Sequence, residues 1–243
     1  MKMLPLLLAS ALLLAAPRAG SAQDIGPALD MTLMTGWAGG EAVRYDLEKR
    51  AAAAKGGRTA TTKTATASSF AYRPSPAVRE RTVANLAAKL QASNPAGAQA
   101  LTAAFGPGKL DYETLYAKII SGTGLRATDA ADAMACYLLT GYAIVNNVQD
   151  GRTITPALAK GVRGQVAGIM QRNGQLKPDD PVAAARFGEA FKLQTVILTA
   201  GWEEAAKKST LPAYRSSIGS MFKGQYGMDF SQLKLTPQGF ARK

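Results

Sequence analysis

TDAADAMACYLLTGYAIVNN, residues 128–147, decides the fold class. Ala130, Ala133, Met134, Tyr137, Leu138, Gly141, Ile144 and Val145 recur at intervals of three and four, the spacing of one α-helical face. Leu139, Tyr142 and Ala143 widen that face until little polar surface remains, which predicts a central helix buried on most sides. Thr128-Asp129 marks its start, and Asp132 falls in its first turn, where the helix dipole favours a carboxylate. Asn146-Asn147 stands at its end; these two amides are placed to satisfy terminal carbonyls or, as the functional alternative, to bind a ligand.

The same periodicity continues on both sides. Ser75-Pro76, Asn94-Pro95, Thr155-Pro156 and Asp180-Pro181 each set a capping side chain before a proline at the first helical position. Val83, Leu86, Ala87 and Leu90 share a face, and a short helix through Leu101 and Phe105 stops at Gly106-Pro107-Gly108. Asp111 caps a helix carrying Leu115, Tyr116, Ile119 and Ile120, closed by Gly122-Thr123-Gly124. Leu158, Val162, Val166, Ile169 and Met170 face inward on another. The longest runs from Asp180 to about Lys208 with Phe187, Phe191, Leu198 and Trp202 on one face. A last helix spans Leu211 to Lys223, and a short tail, Phe230 to Phe240, packs back onto the bundle. No run alternates with period two over a convincing length. The expected fold is all-α, a single bundle of six or seven helices over residues 74–240.

Upstream the character changes. Residues 1–22 carry Lys2, an apolar run from Leu4 to Ala16 and small residues at Gly20-Ser21-Ala22, the order of a secretory signal peptide cleaved near Ala22. The apolar run is too short to span a bilayer, so a periplasmic or secreted protein without a transmembrane segment is expected. Residues 23–48 form an N-terminal arm, docked or poorly ordered. Residues 49–73 read as a flexible Ala/Thr/Lys linker, because nothing bulky and apolar lies between Leu47 and Phe70 to offset its ordering entropy.

Composition excludes several chemistries. Histidine is absent and Cys136 is the only cysteine, which removes Ser-His-Asp and Cys-His catalysis, His- or Cys-based metal sites and any intramolecular disulfide. No cofactor or metal is expected, and Cys136, inside an apolar helical run, reads as a small buried residue. The surplus of 29 basic over 17 acidic residues gives a formal charge of +12, reduced to +10 once Lys2 and Arg18 leave with the signal. Such a balance draws a protein to anionic surfaces such as cell-wall polymer or lipid headgroups. Lys49, Arg50, Lys55, Arg58, Lys63 and Arg73, with no acidic residue among them, are the candidate anion-binding set. No aromatic residue interleaves with the run from Lys49 to Lys63, so specific nucleic-acid binding is not expected.

Ala167-Gly168-Ile169-Met170-Gln171 resembles the Ala-x-Gly-Leu-Met-Gln signature of lytic transglycosylases, but the upstream glutamate that such an enzyme needs as general acid is missing. An envelope hydrolase using an isolated carboxylate is therefore the alternative to a non-enzymatic binding module. A buried cleft holding Asp132, Asp150 or Glu189 beside a tyrosine would favour the enzyme, and carboxylates on solvated helix faces the module. Gly161, Gly164 and Gly168 share a helix and point to close approach of a neighbouring helix, the central one.

The residues Asn94-Pro95-Ala96-Gly97, Gly124-Leu125, the run from Asp132 to Asn146, Val162-Arg163-Gly164-Gln165-Val166 and Leu235-Thr236-Pro237-Gln238-Gly239-Phe240 resemble an uncharacterised family of exported bacterial proteins, a domain of unknown function, over residues 74–240. The resemblance implies an exported helical domain and carries over no catalytic residue.

Overall fold

A computed structural model describes Asp46 and residues 69–243, apart from 175 and 178. The expected signal peptide, the arm apart from Asp46, and the linker up to residue 68 lie outside the described residues.

Among the described residues, seven α-helices make up the bundle: α1 (Pro76–Ser93), α2 (Pro95–Phe105), α3 (Tyr112–Ile119), α4 (Ala130–Val145), α5 (Pro156–Asn173), α6 (Pro181–Lys207) and α7 (Leu211–Tyr226). Helix α4 is the centre, packed against α5, α6 and α7; α6 reaches on to α1 and α3, and α1 lies against α2. Every residue of α4 except Tyr142 and Val145 is buried, as its sequence predicts. Gly141 lets the ring of Phe222 lie directly on the α4 backbone, where a Cβ would collide with it.

The helix starts follow from side-chain chemistry. Asn94, Asp111, Asp129, Thr155 and Asp180 each accept a hydrogen bond from a backbone N–H of the first turn, occupying donors that have no partner within the helix. Ser75 differs: its side chain makes no capping bond, and proline at the first position suffices there. Gly174 and Gly227 end α5 and α7 with left-handed φ of 63°, a conformation that costs glycine little.

Two features depart from the sequence reading. The tail forms an antiparallel hairpin, β1 (Leu233–Thr236) paired with β2 (Gly239–Arg242), with Leu235 opposite Phe240. Four-residue strands are too short to show a period in sequence. This hairpin, and not the central helix, is what Gly161 approaches: a Cβ there would strike the Pro237 carbonyl. The packed domain also begins ahead of Pro74. Phe70 and Tyr72 are buried, and Ala71 bridges to Asp129 as a single antiparallel β-pair.

Candidate functional site

Phe70–Tyr72 runs between two buried ionic networks and contributes to both. In the first, Asp129 caps α4 by accepting from the N–H groups of Ala131 (3.0 Å) and Asp132 (3.1 Å) through Oδ1. Its Oδ2 accepts from the Phe70 N–H at 3.0 Å and from Arg126 Nη2 at 2.7 Å. Arg126 Nε also donates to Asp132 Oδ2 at 2.7 Å, and Arg163 from α5 lies between the two carboxylates, 3.4 Å from Asp129 and 3.2 Å from Asp132. Two arginines thus balance two aspartates. Burial nevertheless pushes the Asp132 carboxyl above its ordinary range, against the pull of Arg126 and Arg163.

The second network surrounds Glu189 on α6. Its Oε1 accepts from the Tyr72 hydroxyl at 2.9 Å and from Lys192 Nζ at 2.8 Å, and its Oε2 accepts from the Tyr112 hydroxyl at 2.7 Å. Lys192 donates as well to Glu113 Oε2 at 2.6 Å, and its ammonium sits 5.3 Å from the Tyr72 ring centre and 5.6 Å from that of Tyr116. Glu189 and Lys192 have no exposed side-chain surface; Glu113, 23% exposed, is the network's contact with solvent. Burial, and next the Glu189 charge, hold both tyrosine hydroxyls far above their ordinary pKa, so they remain protonated donors. Gly188 makes this possible, because a Cβ there would meet the Tyr72 ring at 2.5 Å.

These arrangements consume the carboxylates. Glu189 spends both oxygens on three donors, and neither Glu189 nor Asp132 lines either of two concavities on the described surface. One concavity, of about 380 Å³, lies where α7 meets the tail and includes Arg215, Ser216, Lys223 and Asp229. The other, of about 130 Å³, lies between α1 and the α2–α3 connection. Asp150 is exposed on its loop and accepts from Arg152 Nη2 at 2.8 Å, which holds its carboxyl below the usual range.

Of the residues singled out from sequence, Asn146 gives its amide to the carbonyls of Tyr142 and Phe230, both at 3.1 Å, stapling the end of α4 to the tail. Asn147 is exposed in a left-handed turn (φ 55°) and accepts from Gln149. Lys49, Arg50, Lys55, Arg58 and Lys63 lie outside the described residues, and Arg73 is exposed beside buried Tyr72. Cys136 is buried, and burial pushes its thiol up to about 12. The roles of Tyr72, Tyr112, Glu113, Arg163 and Lys192 were not singled out. One signal was available for Lys192: with Glu189 it makes an i, i+3 pair in a stretch that also carries Ala185, Phe191, Leu193 and Val196.

Among the described residues, no group of acidic or cysteine side chains is placed to hold a metal ion, and no helix is long and apolar enough to cross a membrane. No curated protein and no solved structure matches the chain. One family model does match, over residues 42–242, a span that takes in Asp46, both ionic networks and the hairpin. The chain belongs to DUF6683, a family of unknown function.

Proposed function

We propose that this chain is a non-enzymatic, exported interaction module of the bacterial cell envelope, drawn to an anionic surface by its basic residues. The observation that carries the non-enzymatic reading is the closure of both networks: Asp129, Asp132 and Glu189 are each bonded to a cation, and none of these three carboxylates lines either concavity described above. A general acid needs an oxygen facing its substrate, and Glu189 has both oxygens committed. Glu189 does stand beside two tyrosines, yet inside the core and not in a cleft, which weighs against the hydrolase. Export is supported by the first 22 residues, and attraction to polyanions by the formal charge of +12 and the run Lys49, Arg50, Lys55, Arg58, Lys63 and Arg73.

The test is salt-dependent co-sedimentation of the chain from Gln23 onward with purified cell-wall sacculi and, separately, with anionic phospholipid vesicles. Cutting the chain back to Pro74 is the wrong comparison, because it removes Phe70 and Tyr72 from the core. The proper variant replaces Lys49, Arg50, Lys55, Arg58 and Lys63 with glutamine. Wild type is expected to sediment at low salt and be released at high salt, while the variant stays in the supernatant. Equal sedimentation of the two would place recognition on the bundle, and no sedimentation of either would end the surface-binding proposal.

A further inference from the structure

Among the described residues, the arginines that are not exposed are Arg79, Arg163 and Arg215. Arg79 pairs with Asp111, and Arg163 with Asp129 and Asp132. Arg215, on α7, pairs with no carboxylate among them. Its Nε donates to the Ile144 carbonyl at 3.2 Å and its Nη2 to the Val145 carbonyl at 2.9 Å, which closes the end of α4 and fixes the guanidinium plane. Those bonds use two of its five N–H groups and leave its charge without a counter-ion.

Arg215 lines the concavity of about 380 Å³ where α7 meets the tail. Ser216 and Ser220, one turn apart on α7, line it too, and neither hydroxyl has a partner among the described residues. Gly219 puts no side chain between them; a Cβ there would reach a Val145 methyl at 3.6 Å. The other charges in the wall cancel. Lys223 Nζ lies 3.1 Å from Asp229 Oδ2, and bonds from Ser231 and Lys223 hold the Asp229 carboxyl below its usual range, so it stays ionised. The surplus is the Arg215 charge.

We propose that this concavity binds a phosphate group, carried on a small hydroxylated molecule or a lipid headgroup. A guanidinium oriented before the ligand arrives, with hydroxyl donors beside it, suits an oxyanion. A terminal phosphate offers three strong acceptor oxygens, enough for Arg215 and both serines, where a carboxylate offers two. Asp229 stands in the same wall as an acceptor, which favours a phosphoester with hydroxyls over the bare ion. The site uses none of Lys49, Arg50, Lys55, Arg58 and Lys63, so it stands or falls apart from surface binding through them.

The experiment titrates glycerol phosphate into the chain from Gln23 onward at constant ionic strength, with sodium chloride as the control, and follows the backbone amide signals of Ser216, Gly219 and Ser220 by NMR. Saturable shifts are expected with glycerol phosphate and none with chloride. Arg215→Gln should weaken binding at least about tenfold, the scale of a lost charge-assisted bond. That change also opens the end of α4, so the exposed pair Ser216→Ala with Ser220→Ala gives a second reading and should weaken binding about fivefold or more. Equal shifts in chloride, or an affinity that the serine pair leaves unchanged, would overturn the proposal. Once the serine pair has upheld the site, phosphatidylglycerol vesicles added to the five-glutamine variant identify the source: competition with glycerol phosphate assigns a lipid headgroup, and no competition a free phosphoester.

Discussion

The two ionic networks each pair two carboxylates with cationic partners, two arginines in one and a single lysine in the other, and they differ in access to water. Around Asp129 and Asp132, the Arg126 side chain is 52% exposed and can be rehydrated if a partner disappears. Around Glu189, Lys192 has no exposed side-chain surface, and among the described residues its charge is matched by Glu189 and Glu113. The difference teaches where an ion pair is costly to break. Coulomb attraction is similar in both, and what separates them is the desolvation that an orphaned charge would retain. Glu189→Ala is accordingly expected to show the largest effect, a loss of about 3–5 kcal/mol in urea unfolding, because Lys192 keeps its burial with only the partly exposed Glu113 left to pair it, and the Tyr72 and Tyr112 hydroxyls lose their acceptor. Replacing the pair together, Glu189→Leu with Lys192→Met, should recover much of that loss. A double variant no better than the single one would show that the network stabilises through its tyrosine bonds and not by charge balance.

Asp129→Ala should come second, at about 2–3 kcal/mol, since it removes an N-cap and a charge-assisted bond to the Phe70 N–H while leaving Arg126 and Arg163 paired with Asp132. An Asp129 loss equal to that of Glu189 would break the comparison. Third is Gly188→Ala, at about 1–3 kcal/mol, because the added methyl pushes Tyr72 off Glu189. Its sharpest readout is ultraviolet absorbance on raising the pH, in which Tyr72 should ionise earlier than in wild type.

The sequence made the helices legible because each announces itself locally: Asn94, Asp111, Asp129, Thr155 and Asp180 cap where they were expected to, and α4 is as buried as its unbroken apolar face required. The networks were not legible, because their members come from positions far apart. Tyr72 meets Glu189 across 117 positions and Arg163 meets Asp129 across 34, and nothing in local periodicity records such a pairing. The reading of residues 49–73 as one linker shows the same limit. Phe70 and Tyr72 are only two aromatic residues after a long polar run, and their burial comes from a β-bridge to Asp129 and a bond to Glu189 that only the folded chain supplies.

The networks should also differ in pH response. Asp132 faces Arg126, Arg163 and Asp129, and burial leaves its carboxyl above the ordinary value of 3.8 in the folded state. A carboxyl raised on folding binds its proton more tightly in the native state. Its contribution to stability is complete below the unfolded value and declines as pH rises through the native one. The penalty of Asp132→Asn is therefore expected to shrink between pH 3.5 and pH 7 in parallel urea titrations. A penalty that grows over the same interval would mean that the two arginines outweigh desolvation.

The smallest effect belongs to α5, which carries Arg163 between two glycines of opposite consequence. At Gly161 a methyl strikes the Pro237 carbonyl, so alanine there should cost about 1–3 kcal/mol and loosen the hairpin. At Gly164 a methyl meets nothing within 4 Å, and the position is exposed on the helix. Gly164→Ala is thus expected to stabilise by about 0.5–1 kcal/mol, the helix-propensity difference alone, and raise the thermal midpoint by a few degrees. Because that gain touches neither network, it should add to the Glu189→Ala and Asp129→Ala losses without interaction. A measured coupling with Asp129→Ala alone would show that Arg163 senses the stiffness of its helix, and that the more hydrated network is also the more compliant one.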